Sequence, residues 1–274
     1  MQVSILSIVC MAISAIVSIG LPIALFIIFH KKYNAKIVPM IFGIAGFILF
    51  ALILERSIHS IVFEKFSLRE KPLIYIIYGI FMAGIFEETA RFISFKILRK
   101  KYNGLGIGLA YGVGHGGIEA ILFVGLAMIN TIIFALIFNS GNVEMITNKL
   151  QGGVLEQVNA QITAMLTTPP YLFLVNGIER IFAICIQVSF SVIVYYSVYG
   201  ENKLWLYPFS IVLHAIIDIP AAAMQVGVIK NMFLVELLLF IGTIISIIIA
   251  KFIHEKIKTT GIKFLLKLLK KNNE

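Results

Sequence analysis

The chain has 274 residues, of which 59% are hydrophobic and 14% charged, against roughly 45–50% and about a quarter in soluble domains. That composition excludes a secreted, cytosolic or nucleic-acid-binding globule, because a chain of this length cannot hide so much apolar side chain from water. The formal net charge of +9 therefore reports membrane topology rather than affinity for nucleic acid. A β-barrel would show weak ten-residue alternation, and long apolar runs stand in its place. The two cysteines, Cys10 and Cys185, both inside apolar runs, make neither a disulfide framework nor a metal site.

The runs predict an all-α polytopic bundle of about seven spans, each near the roughly 20 residues a bilayer crossing needs. Lipid forces every backbone group to be satisfied within its own helix. In chain order the spans fall at 3–29, 37–54, 73–98, 105–139, 171–199, 204–229 and 232–253. The first reads as an anchor, since no basic segment precedes it and no A-x-A site follows. The fourth is too long for one straight crossing. Seven glycines between Gly104 and Gly117 predict a kink or close packing in its first half. The more polar stretch 140–170 is expected to carry a short amphipathic helix through Ile146, Leu150, Leu155, Val158 and Ile162. Residues 1–260 read as one integral membrane domain with a site-bearing core at about 73–225. Residues 261–274 read as a basic amphipathic tail, with Ile262, Leu265, Leu266 and Leu269 on the face that lies on an anionic inner leaflet.

Orientation follows from Lys and Arg. With the N-terminus outside, Lys31, Lys32, Lys36, Lys96, Arg99, Lys100, Lys101, Lys203 and seven lysines after Ala250 lie inside. Arg56, Lys65, Arg69, Lys71, Lys149 and Lys230 lie outside. The bias predicts N-out, C-in. No internal repeat of the transporter kind is seen.

Ionisable side chains inside spans are costly and are functional candidates by default. The third span holds Glu87, Glu88 and Arg91, the fourth His115 and Glu119, the fifth Glu179 and Arg180, and the sixth His214 and Asp218. Glu87–Arg91, His115–Glu119 and His214–Asp218 are each four apart, so each pair shares a helix face. Counted at 1.5 Å per residue from the inner ends, Glu87 lies roughly 16 Å deep and His115 and His214 roughly 15 Å. Three helices thus bring two histidines and several carboxylates to one level. Glu179–Arg180 falls nearer the outer surface as a secondary polar pair, and Gln187 reaches the inner level as an amide.

A carboxylate in a low-dielectric site can act as general base toward water. His115, Glu119, His214 and Asp218 are alternatively ligands for a zinc ion whose bound water is the nucleophile. Arg91 neutralises carboxylates without an ion, which favours metal-free activation. Covalent catalysis is the weaker option, because only Ser94 lies beside these groups in the same spans.

Glu87-Glu88-Thr89-Ala90-Arg91 resembles the paired-glutamate motif of the superfamily of CAAX prenyl proteases, bacteriocin-processing and immunity proteins and PrsW-type peptidases. Tyr111 to His115 is similar to its second motif, aromatic-x-x-x-His, and His214-Ala215-Ile216-Ile217-Asp218 to its third. Gly114-His115-Gly116-Gly117-Ile118-Glu119-Ala120 and Glu179-Arg180 resemble the YhfC branch of bacterial membrane peptidases. Two residues separate Glu88 from Arg91, as in the PrsW type, where the prenyl-protease form has three. The PrsW type has an aromatic where this chain has His115, which leaves His115 and Glu119 as alternative catalytic groups. The resemblance implies intramembrane proteolysis of a membrane-embedded or hydrophobic peptide, with Glu87 as base and the histidines supporting water and oxyanion. A non-catalytic bacteriocin-immunity or binding protein is the alternative from another class. A proton-coupled transporter is the third, since buried Glu–His chains also serve as relays.

Overall fold

The computed structural model describes residues 2–143, 147, 148 and 150–271, with side chains for all of these except residue 69 and residues 260–271. All regular structure among the described residues is helical. In chain order the helices are α1 Ile5–Tyr33, α2 Ile37–Phe66, α3 Pro72–Leu98, α4 Gly106–Asn139, α5 Gly153–Thr167, α6 Pro170–Tyr199, α7 Leu206–Gln225 and α8 Met232–Lys271. Seven of them, α8 counted to Thr259 and α5 excepted, are long and apolar enough to cross a membrane. Their outward faces carry bare aliphatic and aromatic side chains such as Ile16, 69% exposed, and Phe252, 62% exposed. A surface this apolar belongs against lipid.

The ends differ from the expected ones where a polar residue is satisfied inside the helix. α2 runs past residue 54 to Phe66 because buried Glu55 accepts a hydrogen bond from His59 Nε2 one turn on, at 3.0 Å. Its middle, Phe47–Glu55, is a π-helical segment. A second π segment, Ile121–Gly125, interrupts α4 without ending it. α5 begins at Gly153, so Leu150, expected within the amphipathic helix, precedes it. Ile146 and the side chains of the expected tail at 261–274 lie outside the described residues.

The chain forms two compact units, Met1–Ala24 with Gly117–Ile181, and Leu25–Gly116 with Phe182–Glu274. In the first unit Cys10, Met11 and Phe173 form a small core, and Ser14 Oγ donates to Phe173 O at 2.6 Å. The second unit holds the larger core. Phe95, Tyr111, Phe190 and Ile193 are wholly buried there, with α6 at its centre.

Glycines decide how closely the helices of the second unit approach. Gly108, Gly112 and Gly116 recur every four residues on the α4 face that meets α6, the small-residue spacing that lets helices in lipid pack backbone to backbone. A Cβ at Gly112 would stand 2.5 Å from Val188 Cα. On the face toward α2, a Cβ at Gly114 would stand 2.0 Å from Met40 O, and one at Gly43 would stand 2.1 Å from Tyr111 O. Gly114→Ala is therefore expected to destabilise by about 3 kcal/mol, the upper end for overpacking, because the obstacle is backbone rather than a movable side chain. Gly79→Ala in α3, where the added Cβ meets no atom within 4 Å, is the control and should be neutral or slightly stabilising. Thermal unfolding in micelles compares the two, and equal midpoints would refute the packing.

Candidate active site

α3 packs extensively on α7. Gly84 makes the approach possible: a Cβ there would meet Ile211 O at 2.9 Å and His214 Cβ at 3.6 Å. Within the second unit, four helices now aim polar side chains at one another. α3 supplies Glu87, Glu88 and Arg91, α4 supplies His115, α6 supplies Gln187 and Ser191, and α7 supplies His214 and Asp218.

Arg91 is wholly buried and ties four of these side chains together. Its Nη1 donates to Glu88 Oε1 at 2.5 Å, its Nη2 to Gln187 Oε1 and to Glu87 Oε2 at 3.5 Å, and its Nε to Ser191 Oγ at 3.2 Å. Glu87 Oε2 also accepts from His115 Nε2 and from Gln187 Nε2, each at 3.0 Å. Glu88 Oε1 accepts from His214 Nδ1 at 2.7 Å. The other nitrogen, His214 Nε2, faces Asp218 Oδ2 at 3.3 Å and Glu87 Oε2 at 4.0 Å. A carboxylate only accepts, so the histidine nitrogen facing it carries the proton. Rings lock the imidazoles: Phe47, at the start of the π segment of α2, meets His115 edge-on at 5.1 Å, and Phe190 stacks on His214 at 4.9 Å.

Exposure separates the two glutamates. The Glu88 side chain is 0% exposed, whereas Glu87 is 11% and Asp218 35% exposed. Two polar atoms in this cluster, Glu88 Oε2 and His115 Nδ1, are buried without a hydrogen-bond partner. Glu87, Glu88, Arg91, His115, His214 and Asp218 thus lie together. In the first unit, Arg180 donates to Glu119 Oε1 at 2.8 Å through Nη1 and to Glu179 Oε1 through Nη2. Arg180 is buried, whereas the two carboxylates that share it are half-buried.

Two members escaped sequence reasoning. Ser191 is a hydroxyl in an apolar run, where its own helix backbone satisfies it: Ser191 Oγ donates to Gln187 O at 2.8 Å. Glu55 sits at the end of the π segment of α2, within electrostatic reach of Glu87 and His214. His59 bridges it to Tyr78 OH at 3.0 Å. The i,i+4 spacing of Glu55 and His59 carries that signal, but a span boundary drawn at residue 54 hides it.

A family model described as YhfC intramembrane metalloprotease matches residues 17–239. The chain belongs to the YhfC family. It is 36% identical over 245 residues to a protein of Bacillus subtilis strain 168 described as uncharacterized membrane protein YhfC, covering 88% of this chain and 94% of that one. No solved structure matches. The YhfC description implies a metal ion, and catalytic zinc takes three protein ligands about one point. Among the described residues no group of three or more His, Cys, Asp or Glu side chains is arranged to hold one. Glu87 Oε2 is ringed by N–H groups of His115, Gln187 and Arg91, which compete for the lone pairs a cation needs. In this arrangement the residues do not fit the ion.

Proposed function

We propose that this YhfC-family chain is an intramembrane peptidase that hydrolyses a peptide bond of a membrane-embedded or hydrophobic substrate with water activated by Glu87. The observation that carries the reading is that Glu87 is the reachable carboxylate of the pair, with Nε2 of both histidines turned toward it. Glu87 takes a proton from water, and the hydroxide attacks the carbonyl carbon. His115, whose Nε2–H faces the same place, steadies the oxyanion as charge develops. The C–N bond breaks as the proton held by Glu87 passes to the leaving amine. Glu88 and Asp218 orient His214 from its two sides, and Arg91 holds the two glutamates in place by bonding both.

The Lys and Arg asymmetry supports an orientation with the N-terminus outside and the C-terminus inside, and the likeness to a Bacillus subtilis membrane protein supports a bacterial cytoplasmic membrane. The partners on this reading are the bilayer and a membrane-embedded peptide, with no nucleic acid.

The test compares membranes of cells carrying wild-type protein with those carrying Glu87→Gln, by mass spectrometry of peptide termini. Cleavage products present only with the wild type are expected, and they should persist after chelation of divalent metals from isolated membranes. Identical inventories would sink the peptidase reading in favour of a binding protein. Loss of the products on chelation, with rescue by zinc, would move both histidines to ligand roles.

A further inference from the structure

A cavity of about 380 Å³ opens at the end of the second unit where α3 stops and the chain turns from α6 into α7. Lys96 and Arg99 line it from α3 and Lys203 from the turn, with Glu201 the single acidic residue of the lining. Three cations against one carboxylate make it an anion site by charge. The walls are fixed. Arg99 Nη1 donates to Val198 O at 3.4 Å, Tyr199 OH donates to Tyr102 O at 3.0 Å, and Asn202 turns the chain with φ of 53°. The Lys96 ammonium is held over the Phe92 ring, with Nζ 5.2 Å from its centre, a cation–π contact that limits its freedom.

One apolar residue of the lining, Leu204, is 60% exposed. Next to it in the chain Trp205 is 56% exposed, immediately before α7 enters its span at Leu206. Exposed tryptophan at a span end marks the headgroup level of a bilayer. α3 leaves its span at Leu98, so the cavity lies at that level whichever way the chain is inserted. Basic recesses between spans at this depth suit lipid phosphates.

We propose that this cavity binds the phosphate of an anionic phospholipid, whose acyl chain covers Leu204 and Trp205. A free phosphate ion shares the charge chemistry but has nothing to cover those two side chains.

The chain has one tryptophan, so its emission reads this site alone. The full-length protein in neutral detergent is titrated with dioleoylphosphatidylglycerol, with dioleoylphosphatidylcholine, or with inorganic phosphate. Phosphatidylglycerol should give a saturable blue shift at a concentration at least about tenfold below phosphatidylcholine, and inorganic phosphate should give none. Lys96→Gln/Arg99→Gln/Lys203→Gln should raise half-saturation on the order of a hundredfold, the sum of three interfacial charges. Lys31→Gln/Lys32→Gln/Lys36→Gln removes equal charge elsewhere and should leave it within about twofold. Glu201→Gln, which removes the opposing charge, should tighten binding roughly fivefold. Equal responses to the two lipids, or equal losses in the two triple variants, would overturn the site. Saturation by inorganic phosphate alone would overturn the lipid assignment.

Discussion

Glu87→Gln is expected to lower peptide-bond cleavage roughly a thousandfold without unfolding the protein, within the range that removing a positioned general base produces. Glutamine matches the shape of Glu87 and keeps an oxygen that can accept from His115 Nε2, now 3.0 Å away. What it loses is the ability to take a proton from water. Glu88→Gln makes the discriminating partner. That side chain is 0% exposed and is committed to Arg91 and His214 at 2.5 and 2.7 Å, so it acts through His214 and not on the substrate. Loss of such an orienting carboxylate should cost about 10–100-fold, as it does where carboxylates orient histidine ligands, together with a lower unfolding temperature. Turnover of a membrane-tethered peptide by reconstituted protein, read beside unfolding in micelles, tells the two roles apart. Full turnover in Glu87→Gln would remove Glu87 as base, and a larger loss in Glu88→Gln would exchange their roles.

The seven spans were readable because apolar length is imposed by the bilayer and leaves little freedom. Their ends were less so. α2 reads as finished at Leu54 because Glu55 and Arg56 follow, yet the helix persists once Glu55 finds His59 one turn further on. Hydropathy measures the cost of a lone charge and cannot register its partner. The glycines of α4 were visible as a group. Which face each one serves was not, since Gly112 meets α6 and Gly114 meets α2.

The same limit governs the site. Spacing of three or four on one helix correctly anticipates Glu88–Arg91 at 2.5 Å and His214–Asp218 at 3.3 Å, because helical geometry alone puts those atoms within reach. It also put Glu119 on the face of His115, but a shared face does not say which neighbouring helix will meet each residue. Glu119 is engaged by Arg180 of α6. Gln187 is readable from depth as an amide at the level of the site, but not as a partner of Arg91. Ser191 carries no charge, so its cost in an apolar run is small, and it becomes evident only as a partner of the buried guanidinium.

Arg91→Leu is expected to be the most damaging single change to stability, by about 3–5 kcal/mol, the usual cost of stranding a buried charge. The guanidinium is 0% exposed and bonds Glu88, Glu87, Gln187 and Ser191 from three different nitrogens. Its removal leaves two adjacent carboxylates in a low-dielectric interior with only histidines to compensate. Arg91→Lys should recover little, since an ammonium cannot span the separate acceptors that a planar fork reaches. Glu88→Leu/Arg91→Leu should be more stable than Arg91→Leu alone, because replacing both partners by apolar groups removes the unpaired charge along with the bond. The recovery will stop short of wild type, for Glu87 keeps its charge and His214 Nδ1 loses the oxygen it faces at 2.7 Å. Unfolding of wild type, Glu88→Leu, Arg91→Leu and the double variant in micelles, analysed as a double-mutant cycle, gives the coupling directly. A cycle that closes near zero, or an Arg91→Leu protein within about 0.5 kcal/mol of wild type, would mean that Arg91 does not hold the paired glutamates.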